Sequence, residues 1–152
     1  MGVLRTVAIL ALATVVVAGC GPAAPSPDTS GRATSPVLSA PVTLTRSGGI
    51  AGVNDTITVD SGGAWTFRDR TGKILDGHLS EAQRAELAAL LADPSVGREA
   101  RQAPANPPCM DAFVYHLSAG GLDVQGADCG DLGRRYPGLA KIVTLLTDVT
   151  PM

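Results

Sequence analysis

The sequence predicts an α+β domain, a mostly antiparallel sheet of about six strands packed against two helices. Three observations predict it. Polar and apolar residues alternate in short runs from Pro41 to Leu79, separated by Gly-rich turns. The period changes at Ser80, where leucines begin to recur at helical spacing. A second pair of alternating runs then folds about Ala119-Gly120, followed by an apolar helical stripe from Leu139 to Val149. Alternation sends side chains to the two faces of a strand, whereas i, i+3, i+4 spacing gathers them on one face of a helix.

Two segments precede that domain. Arg5 stands ahead of an apolar run from Val7 to Val17, broken only by Thr14, and Val17-Ala18-Gly19-Cys20 closes it. A charged start, a short apolar core and a small-residue exit make a secretory signal peptide. The run is shorter than the roughly 20 residues a spanning helix needs. The exit resembles the lipobox of bacterial lipoproteins. By that resemblance residues 1–19 are cleaved and Cys20 carries a diacylglycerol, holding the protein to the cell membrane on its extracytoplasmic face. An ordinary signal peptide ending in a chance cysteine is the plainer alternative. Residues 20–40 read as the lipidated Cys and a Pro/Ala/Ser-rich tether, too poor in large apolar residues to fold. Extended, the tether would reach about 60 Å. Residues 41–152 remain as a single domain of common size.

Within the domain, Pro41–Arg46 alternates and is rich in Thr and Val, a strand. The Gly-rich loop Ser47–Gly52 leads to a second strand over Asp55–Val59. Asp60–Gly63 has turn composition, and Ala64–Arg68 is a third strand with Trp65 and Phe67 on one face. Lys73–Leu79 is a weaker fourth. Ser80 and Gln83 form a capping box for a helix from Glu81 to Ala92, with Leu87, Leu90 and Leu91 on one side. Asp93-Pro94 ends it, and residues 95–108 read as irregular. The hairpin that follows is best registered with His116 opposite Asp123 and Leu117 opposite Leu122. That pairing gathers Phe113, Tyr115, Leu117, Leu122 and Val124 on one face. A last helix runs from Pro137, suited to a first helical position, to Asp148.

Three cysteines divide once Cys20 is lipidated. Cys109 and Cys129 are left as a pair in an oxidising compartment and read as a disulfide. They sit near the open end of the hairpin, within one position of facing each other. Free buried thiols are the alternative. A metal pair lacks any C-x-x-C partner.

Composition excludes several functions. Net charge is −2, and removing residues 1–19 takes one cation and no acid. A weakly acidic domain does not suit nucleic acid or a polybasic membrane contact. His78 and His116 are the only histidines, and there is no G-x-S-x-G or H-E-x-x-H. His116 with Asp111 or Asp123 has the chemistry of a metal site, but a cross-strand polar pair on a solvated face is the plainer reading. Arg46-Ser47-Gly48-Gly49 could form an anion-binding nest, without a Walker lysine to support it. Asp128 and Asp131 read as solvated turn residues. Trp65 and Phe67 could stack a sugar, and are expected in the core. No enzyme activity, metal or cofactor is expected.

Two segments together carry a family resemblance. Arg46-Ser-Gly-Gly-Ile-Ala-Gly52 leads into Thr56-Ile-Thr-Val-Asp60, and Asp111-Ala-Phe-Val-Tyr-His-Leu117 leads through a Gly turn to another strand and a helix entered at Pro137. This order resembles the emfourin-like family, protein inhibitors of thermolysin-like metallopeptidases, across most of residues 42–147. The lipoprotein signal, the tether, the Cys109/Cys129 pair and a turn near Asp131–Tyr136 are additions to that pattern. The resemblance implies a secreted metallopeptidase as partner. It also implies a pocket beside the scissile bond that accepts a bulky apolar side chain. Gly48, Gly49, Ile50, Ala51, Asn54 and Asp55 are then the candidate contacts, with Ile50 entering the pocket. The other placement has Ile50 folded back on the core, with Gly48, Gly49 and Gly52 serving turn geometry. An envelope binding or scaffold lipoprotein with an unrelated partner is the alternative function. An enzyme would need a pocket gathering His78, His116 and a carboxylate.

Overall fold

Alternating runs become strands because each can bury one face while pairing its backbone on both sides. The computed structural model describes residues 37–103 and 109–152. The expected signal peptide, Cys20 and the expected tether as far as residue 36 lie outside the described residues, as do residues 104–108. Strands β1 (Val42–Gly48), β2 (Val53–Val59), β3 (Ala64–Arg68) and β4 (Ile74–His78) form a meander. Helices α1 (Glu81–Leu91) and α2 (Pro94–Glu99) follow. The hairpin β5 (Phe113–Ala119) and β6 (Leu122–Asp128) returns to the sheet beside β1. Helices α3 (Leu132–Arg135) and α4 (Pro137–Val149) complete the chain. The six strands are all antiparallel, in the order β4-β3-β2-β1-β5-β6. The predicted α+β class is the observed one.

The core lies between one sheet face and the helices. Val42 and Leu44 of β1, Ile57 and Val59 of β2, Phe67, Leu117 and Val124 meet Leu87, Leu139, Ile142 and Leu146 in one buried cluster. Each fully buried Leu or Ile contributes about 1.5–3 kcal/mol relative to exposure. Gly126 lets α4 seat closely on β6, since a Cβ there would stand 2.7 Å from Leu139 Cδ2. The other sheet face carries Thr43, Thr45, Thr56, Thr58 and Thr66, directly paired in rows across β1, β2 and β3. Phe67 is buried, and Trp65 packs partly buried against the core over Gly77.

Several expectations are corrected. The β5–β6 register slips by two positions, setting Leu117 opposite Val124 and Ala119 opposite Leu122. Gly120 and Gly121, both at positive φ, form the two-residue turn this requires, and backbone twist favours that turn in hairpins. Residues 95–108 are not irregular throughout, because α2 occupies Pro94–Glu99. Asp93 ends α1 and also caps α2, accepting hydrogen bonds from the Ser95 N–H and hydroxyl at 2.8 Å. The α1 capping box forms as read, Ser80 N donating to Gln83 Oε1 at 2.8 Å and Gln83 N to Ser80 Oγ at 3.2 Å. Leu38, placed in the tether by sequence, is 5% exposed and belongs to the core.

Glu99 replaces a local cap for α4. Tyr136, at the N-cap position, makes no side-chain hydrogen bond. Instead the Glu99 carboxylate, 4% exposed, accepts from Gly138 N at 2.7 Å and Leu139 N at 2.8 Å. A carboxylate at a helix N-terminus satisfies otherwise orphaned donors and complements the helix dipole.

Candidate functional site

The alternating strand directions bring the β1–β2 turn, the β3–β4 turn, the start of β5 and the end of β6 to one end of the sheet. We call this end the tip. The opposite end, where the chain enters at Val37 and the Gly120-Gly121 turn closes β5 on β6, is the base. Among the described residues the exposed large apolar side chains are Val37, Ile50, Ile74 and Met110. All but Val37 stand at the tip.

Gly48 pairs with Val53, leaving Gly49–Gly52 as the β1–β2 connection. Gly52 N donates to Gly49 O at 2.9 Å, closing a turn with Ile50 and Ala51 at its centre. Ile50 is 91% exposed, so it does not fold back on the core. Ala51 and Asn54 are exposed as well.

The other candidate contacts turn inward. Gly48 and Gly49 have positive φ, and a Cβ on Gly48 would collide with the Ala112 carbonyl. A Cβ on Gly49 would lie 2.5 Å from the Phe113 ring, and Gly49 N donates to Ala112 O at 3.0 Å. These glycines allow the turn to dock against the start of β5. That use of Gly49 N, with Arg46 committed elsewhere, leaves no anion-binding nest.

Asp55 is 6% exposed and faces the helix-covered side, directly opposite Arg46. Arg46 Nη2 donates to Asp55 Oδ2 at 2.6 Å. The guanidinium also stands over the Phe113 ring, 5.5 Å from its centroid. Nearly buried and paired to Arg46, Asp55 projects toward the core side rather than out from the turn, unlike Ile50, Ala51 and Asn54. Burial pushes the neighbouring Tyr115 phenol above its usual range, so that it stays neutral.

Cys109 and Cys129 form the disulfide, with Cα atoms 6.0 Å apart. Its offset is larger than expected. Continuing the β5–β6 register would set Cys129 opposite Ala112, yet it bonds Cys109. Met110, Asp111 and Ala112 therefore leave the ladder as a short excursion. Asp111 adopts a left-handed backbone, φ 59°, and Met110 is 91% exposed. Sequence reading missed Met110. Its signal was an apolar residue trapped between a cysteine and a strand start.

Residues weighed for chemistry do not converge. Three strands separate β4, bearing His78, from β5, bearing His116. His78 Nδ1 lies 2.7 Å from Leu79 O, and His116 Nε2 lies 2.8 Å from Asp123 Oδ2 on the exposed face. Asp123 is the diagonal neighbour of His116, whose direct partner is Gln125. No cluster able to hold a metal occurs among the described residues. Beside the tip, a cavity of about 730 Å³ is lined by Tyr115, Asp128, Asp131 and residues of α3 and α4. Asp131 is held below its usual range by hydrogen bonds and charge from Arg134 and Arg135.

No protein-family model matches the chain, and a comparison with curated proteins found no match.

Proposed function

We propose that the chain is a lipid-anchored protein of the cell surface whose domain inhibits secreted thermolysin-like metallopeptidases. Ile50 is the side chain offered to the apolar pocket beside the scissile bond. The observation that carries this reading is the exposure of Ile50 at a hairpin turn between the two central strands, β1 and β2. A side chain that bulky left in water contributes nothing to folding, whereas on a rigid turn it enters a pocket with little conformational entropy left to lose. The turn also resists use as a substrate. A peptidase draws its substrate backbone out in extended form, and the Gly49–Gly52 hydrogen bond between paired strands opposes extension. Asn54, exposed beside the turn, supplies hydrogen-bonding groups for the rim of the cleft.

The test uses the full chain, secreted in soluble form as Cys20→Ser, titrated against a panel of thermolysin-like peptidases. Inhibition is expected, with Ile50→Asp abolishing it while thermal stability stays nearly unchanged. No inhibition of any panel member at micromolar protein would count against the reading.

A further inference from the structure

Met110 has no structural employment. It is 91% exposed, next to a disulfide and inside a three-residue excursion that the β5–β6 ladder did not need. Exposed apolar residues scattered singly are ordinary. Met110 is set apart by what holds it. On one side Cys109 is covalently bonded to Cys129. On the other, the Ala112 carbonyl accepts the Gly49 N–H at 3.0 Å, and Gly49 is the residue before Ile50. Two loops from different parts of the sequence are thus hydrogen-bonded to each other, and each presents one large apolar side chain at the same end of the sheet. Between the fixed points Asp111 is kept in a left-handed conformation that non-glycine residues seldom adopt.

We infer that Met110 is a second specificity-determining residue of the inhibitory site, so that the partner peptidase receives two apolar side chains, Ile50 and Met110, in neighbouring apolar subsites of one cleft. The inference rests on the inhibitor reading above. The occupant follows from shape. Two projecting side chains on loops hydrogen-bonded to each other fit a concave surface with two adjacent depressions, which a peptidase cleft provides. Methionine suits the second position, since its unbranched thioether adapts to pockets of differing outline. Ile50 is β-branched and stiff, fitting a single pocket shape. Ile50 then selects the peptidase class, and Met110 tunes preference among its members.

The experiment compares the secreted full chain with its Met110→Asp, Met110→Leu and Ile50→Asp variants against the same panel. It records inhibition constants and melting midpoints. Met110→Asp is expected to weaken inhibition by about tenfold or more, the range of an interface anchor. Met110→Leu should stay within about threefold overall but reorder the panel, with melting midpoints unchanged. If wild type inhibits and Met110→Asp inhibits equally well, this inference fails and the inhibitor reading stands. A Met110→Asp melting midpoint lowered by several degrees would assign Met110 to the fold and also overturn it. If wild type inhibits nothing, both readings fall together.

Discussion

The two ends of the sheet are closed by different physics. At the base, closure is apolar. Leu38 packs into the core, Val42 stands between Val59 and Ala119, and Leu122 and Leu91 lie partly buried nearby. At the tip the large apolar residues Ile50 and Met110 face solvent, and a disulfide with loop hydrogen bonds does the holding. Apolar burial is non-directional and scales with area. A disulfide and a backbone hydrogen bond fix position without burying anything. An end built the second way keeps its apolar side chains free for another surface while remaining ordered. Under the proposed function the base is the stabilising end and the tip the presenting one.

The largest expected effect is at the tip. Replacing both Cys109 and Cys129 by Ser opens a link across a sequence separation of 20. A loop of this length contributes about 3 kcal/mol through the restricted unfolded chain. Urea unfolding of the variant should show that loss, with amide exchange rising first at Gly49, whose N–H is held by the Ala112 carbonyl. A loss below about 1 kcal/mol would mean that the Gly49–Ala112 contact and the ladder hold the tip alone, and the contrast between the ends would narrow.

Leu38→Ala comes next, at the base. It removes a buried side chain near the chain's entry, where neighbours can partly collapse, so about 2 kcal/mol is expected, at the low end for a buried leucine. Under the proposed function, inhibition measured where the variant is folded should not change, because Leu38 lies at the end away from Ile50. Weakened inhibition without unfolding would break the assignment of separate roles.

How much of this was legible follows burial. The core could be read, because burial writes itself as period, while Leu38 and the Gly120-Gly121 turn at the base were misplaced. Ser80 with Gln83 fixed the start of α1, and the stripe from Leu139 to Leu146 marked α4. Alternation fixes which face a residue takes but leaves register free by steps of two, so the hairpin slipped without mixing its faces. The Gly120-Gly121 pair, read as a two-residue turn, would have settled it. The Arg46–Asp55 pair had a signal too. Arg46 is in phase with Val42 and Leu44, and Asp55 with Ile57 and Val59, so two opposite charges sat at core-facing positions of adjacent strands. The tip was less legible because its order comes from contacts between distant segments. Gly48 and Gly49 look like a free loop until Ala112 and Phe113 are placed against them. Short α2 was hidden because Asp93-Pro94 reads equally as a stop and as a start.

The smallest effect is acid, and it also separates the ends. Asp69, in the β3–β4 turn at the tip, is held below its usual range of 3.8 chiefly by the Thr71 hydroxyl. Asp93, near the base, is lowered chiefly by the Ser95 N–H. A folded carboxylate that resists protonation is stabilising at any pH above its unfolded value, and that contribution is lost as pH falls through the lower, folded value. Nothing should change from these groups between pH 7 and about 5, and stability should decline below about 4. The consequences differ by end. Asp69 organises only a turn, accepting from Thr71 N at 2.8 Å and Lys73 N at 2.9 Å. Acid there should lower the protection of those amides, measured against unfolded-chain exchange rates at the same pH, and lower the melting midpoint less than acid at Asp93 does. Asp93 caps α2, whose Val96 and Glu99 are buried and whose Glu99 in turn caps α4. Protonating Asp93 should therefore lower the midpoint of the whole domain. Asn at position 93 can cap without titrating, so Asp93→Asn should flatten the acid decline more than Asp69→Asn does. Equal flattening by both would show that the tip turn is coupled to the core after all.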